Sequence, residues 1–121
     1  MVRSFMREML ARDIMTTSES GEAEFNQAAT ATLTHIEQAL EDADLDFETP
    51  ADGIIEVEFD DGSKLIINRH GVAKELWVAA RSGGFHFMPV EGGWADTKSG
   101  EALYAKLAEL VALQGGGSIR F

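Results

Sequence analysis

The chain has 121 residues, 45% of them hydrophobic, with 21 acidic against 10 basic residues and a formal charge of -11. That length supports one hydrophobic core rather than two, and the charge argues against nucleic acid backbones and anionic membranes while favouring metal ions or basic protein surfaces as partners. Cysteine is absent, which excludes disulfides, thiolate metal sites, iron-sulfur ligation by this chain and cysteine nucleophiles.

Residues 1–15, MVRSFMREMLARDIM, have the look of a basic amphipathic presequence spoiled by Glu8 and Asp13, and Met15 offers an alternative start. They are read as a poorly ordered extension ahead of a single domain over 16–121. No apolar stretch is long enough to span a membrane, and the N-terminus lacks the unbroken apolar run of a secretory signal, so a cytoplasmic location is expected. From Asp13 to Ser63 the chain then carries fifteen Asp or Glu and no Lys or Arg. The acids are threaded through apolar residues at regular spacing, so it is a folded surface that is being charged.

Thr16 to Gly21 is a polar, cap-rich lead-in, and Phe25, Ala29, Leu33, Ile36 and Leu40 repeat at helical spacing, predicting a helix over roughly 21–43. Leu45 and Phe47 alternate with Asp46 and Glu48 as a short strand, and Pro50 and Gly53 mark a turn. Residues 54–59 alternate, and Asp61-Gly62 followed by 64–68 completes a hairpin signature. Leu76, Val78 and Ala80 alternate with Trp77 and Ala79; Gly83-Gly84 reads as a turn, and Phe85 and Phe87 flank His86 ahead of Gly92-Gly93 and Trp94. Ser99 is the expected cap of a second helix carrying Leu103, Leu107, Leu110 and Val111 and ended by Gly115–Gly117. The fold class is therefore α+β: a two-layer sandwich with N- and C-terminal helices on one face of an antiparallel sheet of five to six strands, the other face left to solvent or a partner.

Glu37, Glu41 and Asp44 fall at i, i+4 and i+7, so a helix persisting that far would line them along one edge with Asp42 beside them. Like charges at that spacing destabilise a helix by about 0.2–0.5 kcal/mol per pair. Asp46 and Glu48, two apart in an extended segment, share a side and continue the ridge. Carboxylates without cysteine or a histidine cluster suit hard cations bound weakly at an open surface, and the plainer reading is a solvated acidic helix end. Trp77 has the opposite parity from Leu76 and Val78, which sets it on the uncovered sheet face near Asn68 and His86 as a candidate anchor for a partner. Trp94, beside two glycines, reads as a packing residue. His35, His70 and His86 form no close-spaced ligand pair, the glycine pairs form no phosphate-binding loop, and no nucleophile is matched with a base, so the chain is not expected to be an enzyme.

The acidic first helix and the strings VEFDDGSKLIINR, ELWVAARSGGFHF and GGWADTKSGEALYAKL occur in order over about residues 20–121. In these the chain resembles the bacterial, CyaY-type branch of the frataxin family. The resemblance implies a compact α-β sandwich working in iron-sulfur cluster assembly. It implies weak binding of ferrous or ferric iron through Glu37, Glu41, Asp42, Asp44, Asp46 and Glu48. It also implies docking on the cysteine desulfurase through Trp77, Asn68, Glu41, Asp42 and Asp44, with the cluster scaffold protein as a further candidate partner. A monomer is expected, with iron-promoted oligomers as an added state. Gln38, Asn26 and the run His70-Gly71-Val72 depart from the family pattern. Two other functions compete: an acidic electrostatic module in which metal binding is incidental, and a ferroxidase, which would want a buried di-iron pair with ExxH-like ligands that the sequence does not offer.

Overall fold

The computed structural model describes residues 17–121, so the expected extension over 1–15 lies outside the described residues. Helix α1 (Thr17–Asp42) leads into strands β1 (Asp46–Glu48), β2 (Ile54–Glu58), β3 (Lys64–His70), β4 (Glu75–Ala80), β5 (Gly83–Val90) and β6 (Gly93–Asp96), and helix α2 (Leu103–Leu113) closes the order. The six strands form one sheet in chain order, every neighbouring pair antiparallel. Both helices pack on the same face, as the alternation of the strands requires.

α1 buries Phe25, Ala29, Leu33, Ile36 and Leu40, and α2 buries Leu103, Leu107, Leu110 and Val111. Between them and the sheet lie Ile55, Val57, Leu65, Ile67, Leu76, Val78, Phe87 and Trp94, each buried. Each such side chain contributes roughly 1.5–3 kcal/mol by leaving water. Trp94 fits the packing role read for it: its Nε1–H donates to Thr32 Oγ1 at 2.8 Å, and Phe25 meets its ring edge-on at 5.9 Å.

α1 starts at Thr17 instead of near residue 21, so the polar lead-in is helical from Thr17 on. The penalty of about 1 kcal/mol for Gly21 inside a helix is small against the packed stripe that follows. The Gly83-Gly84 turn is displaced as well. Ala80 pairs with Gly83 and Ala79 with Gly84, so the reversal falls on Arg81-Ser82 and both glycines lie in β5.

Ser99 does not cap α2. The N-cap is Ala102, which makes no side-chain cap bond. Asp96 organises the approach instead: its Oδ1 accepts the backbone N–H of Lys98 at 2.7 Å and of Ser99 at 3.1 Å, while its own N–H donates to the Glu101 carbonyl at 2.9 Å. Ser99 serves that same loop, its Oγ accepting the Glu101 N–H at 3.2 Å. α2 begins four residues beyond Ser99, so the serine hydroxyl serves a loop N–H and not a donor of the first turn.

Those backbone N–H groups hold the Asp96 carboxyl below its ordinary value of 3.8. A lowered folded value stabilises the fold while the group is ionised, and the benefit is lost as the pH falls through that value. Asp96→Ala should therefore cost about 1–2 kcal/mol at neutral pH. Urea unfolding of both proteins should show the difference intact above about pH 4 and shrinking below it; a difference independent of pH would refute the role given to the charge.

Candidate functional site

α1 ends in a Schellman turn. The N–H of Leu45 donates to the Leu40 carbonyl and that of Asp44 to the Glu41 carbonyl, both at 3.0 Å, with Asp44 in the left-handed region at φ 61°. Leu45 can then pack against the core that holds Leu40. The helical edge read from the sequence is therefore cut short: Glu37, Glu41 and Asp42 lie on α1, and Asp44 stands beyond its end. Glu37 is half-buried; Glu41, Asp42 and Asp44 are exposed. Asp42 Oδ1 accepts Gln38 Nε2–H at 3.1 Å, so Gln38 steadies the acid one turn below it.

Asp46 and Glu48 flank Phe47, which packs against the core, so both acids point to the uncovered face. There the register sets Asp46 opposite Glu58 and Glu48 opposite Glu56. Two carboxylates that the ridge reading left out, Glu56 and Glu58, thus join the site. The alternation of residues 54–59 was the signal that could have found them. Lys64 answers these four acids, its Nζ 2.5 Å from Glu56 Oε1, and that hydrogen bond, helped by the charges of Glu56, Glu58 and Glu48, raises its pKa. The acidic border thus has two parts, one on α1 in the helical layer and one on β1 and β2 on the open face. Among the described residues no three His, Asp or Glu side chains are gathered closely enough to hold a single metal ion. The carboxylates share a border of the molecule without forming a cage.

Trp77 lies on the open face, opposite Asn68 on β3 and His86 on β5. It is not the bare ring that its parity suggested. His70 stacks on one side of the indole with ring centroids 3.7 Å apart and planes 14° apart, and His86 stacks with 4.3 Å and 7°. Its Nε1–H donates to Glu75 Oε1 at 2.8 Å, and the same oxygen lies 3.7 Å from His86 Nδ1. The ring is consequently half-buried beneath neighbours on its own face, as is Asn68. His70 was missed as part of this surface because β3 runs two residues further than the hairpin signature indicated, to His70. On the same face Met88 and Val90 are each 45% exposed.

Residues 18–117 match the frataxin-like domain family. The chain belongs to that family. It is 50% identical over 100 residues to the iron-sulfur cluster assembly protein CyaY of Dechloromonas aromatica (strain RCB), a match covering 81% of this chain and 95% of the relative. The protein of the same name from Janthinobacterium sp. (strain Marseille) is 48% identical over 101 residues, covering 78% and 90%. Among solved structures, the frataxin from Psychromonas ingrahamii superposes with a TM-score of 0.76 at 28% identity, covering 82% of this chain and 95% of that one. The family assignment and the α+β sandwich read from the sequence are both upheld.

Two stability measurements probe this geometry. Asp44→Gly should raise stability by about 1 kcal/mol, since a side chain at positive φ is strained and glycine is not; an unchanged or lower urea midpoint would contradict the turn. Trp77→Ala should cost about 1–2 kcal/mol, clearly less than the roughly 3–5 kcal/mol for truncating a core tryptophan such as Trp94. Equal losses at the two positions would mean that Trp77 is a core residue.

Proposed function

We propose that this chain serves iron-sulfur cluster assembly as a non-catalytic, iron-responsive regulator, binding ferrous or ferric iron weakly along its acidic border and docking on the cysteine desulfurase. The observation that carries the proposal is the relation, at about half identity over nearly the whole relative, to proteins named for iron-sulfur cluster assembly. The chemistry of the border is consistent with it. Carboxylate oxygens suit hard cations. With no three of them converging among the described residues, an ion held there would keep much of its water, exchange readily and be displaced by salt. Iron is thus cargo or effector here and not a resident cofactor. Glu37, Glu41, Asp42, Asp44, Asp46 and Glu48 supply the oxygens, and Glu56 and Glu58 add to the potential from the open face.

The same negative border steers a basic partner surface. Metal and partner then compete for one set of charges, so iron tunes docking electrostatically and without a conformational change. Trp77 and Asn68, adjoining the border on the open face, supply the contact area that charge alone lacks.

A titration of the desulfurase with this protein, with and without iron, tests the reading directly. The wild type should bind, and iron should shift the affinity. Replacing Glu41 and Asp42 together by Lys should weaken both iron and partner binding while leaving the thermal midpoint unchanged or slightly higher, because a like-charge cluster is relieved. Binding that is indifferent to this charge reversal would overturn the proposal.

A further inference from the structure

Trp77 has little left to offer a partner except its edge. His70 and His86 cover its two faces, at 3.7 Å and 4.3 Å between centroids, and Glu75 occupies its only donor. What the open face presents is a comb of three nearly parallel rings beside the acids of β1 and β2. We propose that His70 and His86 are positioning residues of this docking face: as neutral imidazoles they hold the indole on edge for a basic partner, and on taking up protons they release the loop between β3 and β4 and repel that partner. This rests on the docking proposed above.

His70 carries the argument for the loop. Its Nδ1 accepts the backbone N–H of Ala73 at 3.1 Å, which ties residues 71–74 to the end of β3. A nitrogen that accepts bears no proton, and protonation would turn it into a donor facing a donor. The tie would be lost, and the loop has little else to hold it, with Val72 95% exposed and Lys74 at φ 55°. Attraction between an imidazolium and the indole face would keep the rings together, so the response falls on the loop and on the charge presented.

His86 acts through Glu75. Its Nδ1 is 3.7 Å from the oxygen that already accepts the Trp77 Nε1–H, so a proton on His86 would draw that carboxylate away from the indole. Glu75 is also the cross-strand partner of His70 in register, while its carboxylate pairs with His86. Of the other charged groups near His86, Lys98 has no ion pair among the described residues, and the rest are engaged. Asp96, Lys98, Glu101 and Lys106 line a depression with it, but Lys106 is paired with Glu101 at 3.2 Å and Glu109 at 2.9 Å, and Asp96 holds backbone N–H groups. On the His70 side, Arg69 adjoins it in sequence but is paired with Asp52 at 2.7 Å, and Lys74 lies in the loop. With two imidazoles and one carboxylate among them, protonation leaves a net positive charge on a face whose acids attract a basic partner. Histidine is the side chain suited to this, since its charge changes between about pH 5 and 8.

The test is desulfurase affinity at pH 7.5 and 6.0 at fixed ionic strength, for the wild type and for a double variant, His70→Phe with His86→Phe, which keeps aromatic rings against Trp77 but cannot take up protons. Wild-type affinity should fall about fivefold at the lower pH, the size of a change of one or two surface charges. The double variant, which also lacks the tie to Ala73, should bind more weakly than the wild type at pH 7.5 and lose little more at pH 6.0. Should that variant not fold, His70→Gln alone should show a smaller fall than the wild type. An equal fall in wild type and variant would place the response on the partner and overturn the inference. The amide signal of Ala73 in the free protein should move across the same range, and a static signal would equally overturn it. Absence of any complex at pH 7.5 would refute the docking reading, while the Ala73 signal still decides whether His70 governs the loop.

Discussion

A slip of one residue in the pairing of β2 with β3 would turn either Ile55 and Val57 or Leu65 and Ile67 out into water and bring Glu56, or Ile66 and Asn68, inward in their place. The rest of the molecule depends on that register being held. Four apolar side chains at roughly 1.5–3 kcal/mol each outweigh what opposes the arrangement, which is the placing of Asp46 against Glu58 and Glu48 against Glu56 on the other face. Facing like charges cost on the order of 0.2–1 kcal/mol per pair. The core therefore dictates parity, and parity then dictates that acids and rings alike share the open face.

A polar knot closes the opposite end of the sandwich. Gln114, just past α2, is 5% exposed. Its Oε1 accepts the Arg81 backbone N–H at 3.2 Å, and its Nε2 donates to Ser63 Oγ at 2.9 Å and to the Lys64 carbonyl at 3.2 Å. Arg81 in turn bonds Asp61 at 2.5 Å and, through Nη2, the Leu113 carbonyl at 3.3 Å. Two hairpin turns and the end of a helix are thus joined through the buried Gln114 amide, which would be costly to leave unpaired, with the exposed Arg81–Asp61 pair at its rim. The turn settles on Arg81-Ser82 and not on the two glycines, and this knot gives a physical reason: the Arg81 N–H and guanidinium are both needed where they stand.

What could be read from the sequence was what local chemistry decides. Period-two alternation gave the strands and the side of the sheet on which Trp77 sits, Asp61-Gly62 gave a hairpin, and the helical stripe from Phe25 to Leu40 gave α1. The misreadings lie where two segments compete for the same task. Ser99 looks like a cap until α2 is seen to begin at Leu103, beyond the reach of its hydroxyl, and Asp44 looks helical until Leu45 is drawn back to the core behind it. The stacking of His70 and His86 on Trp77 has no local signal at all. It follows from the registers of β3, β4 and β5 taken together, in a row of residues far apart in the chain.

The dispersal of the acids has a physical consequence of its own. Glu37 and Glu41 project from a helix, Asp44 from a left-handed turn, and Asp46 and Glu48 from a strand whose open face is turned away from that helix. To bring three of these onto one ion, side chains would have to give up rotamer freedom and approach one another against mutual repulsion, a cost met only by a highly charged cation. Left apart, the same charges overlap as a field, since screening at physiological salt acts over about 8 Å, comparable to the spacing of neighbouring turns and strands. Such a border favours whatever positive surface comes near over any one tightly bound metal, and its strength follows ionic strength. Specificity must then come from the uncharged part of the face, where three stacked rings present a shape that salt does not screen.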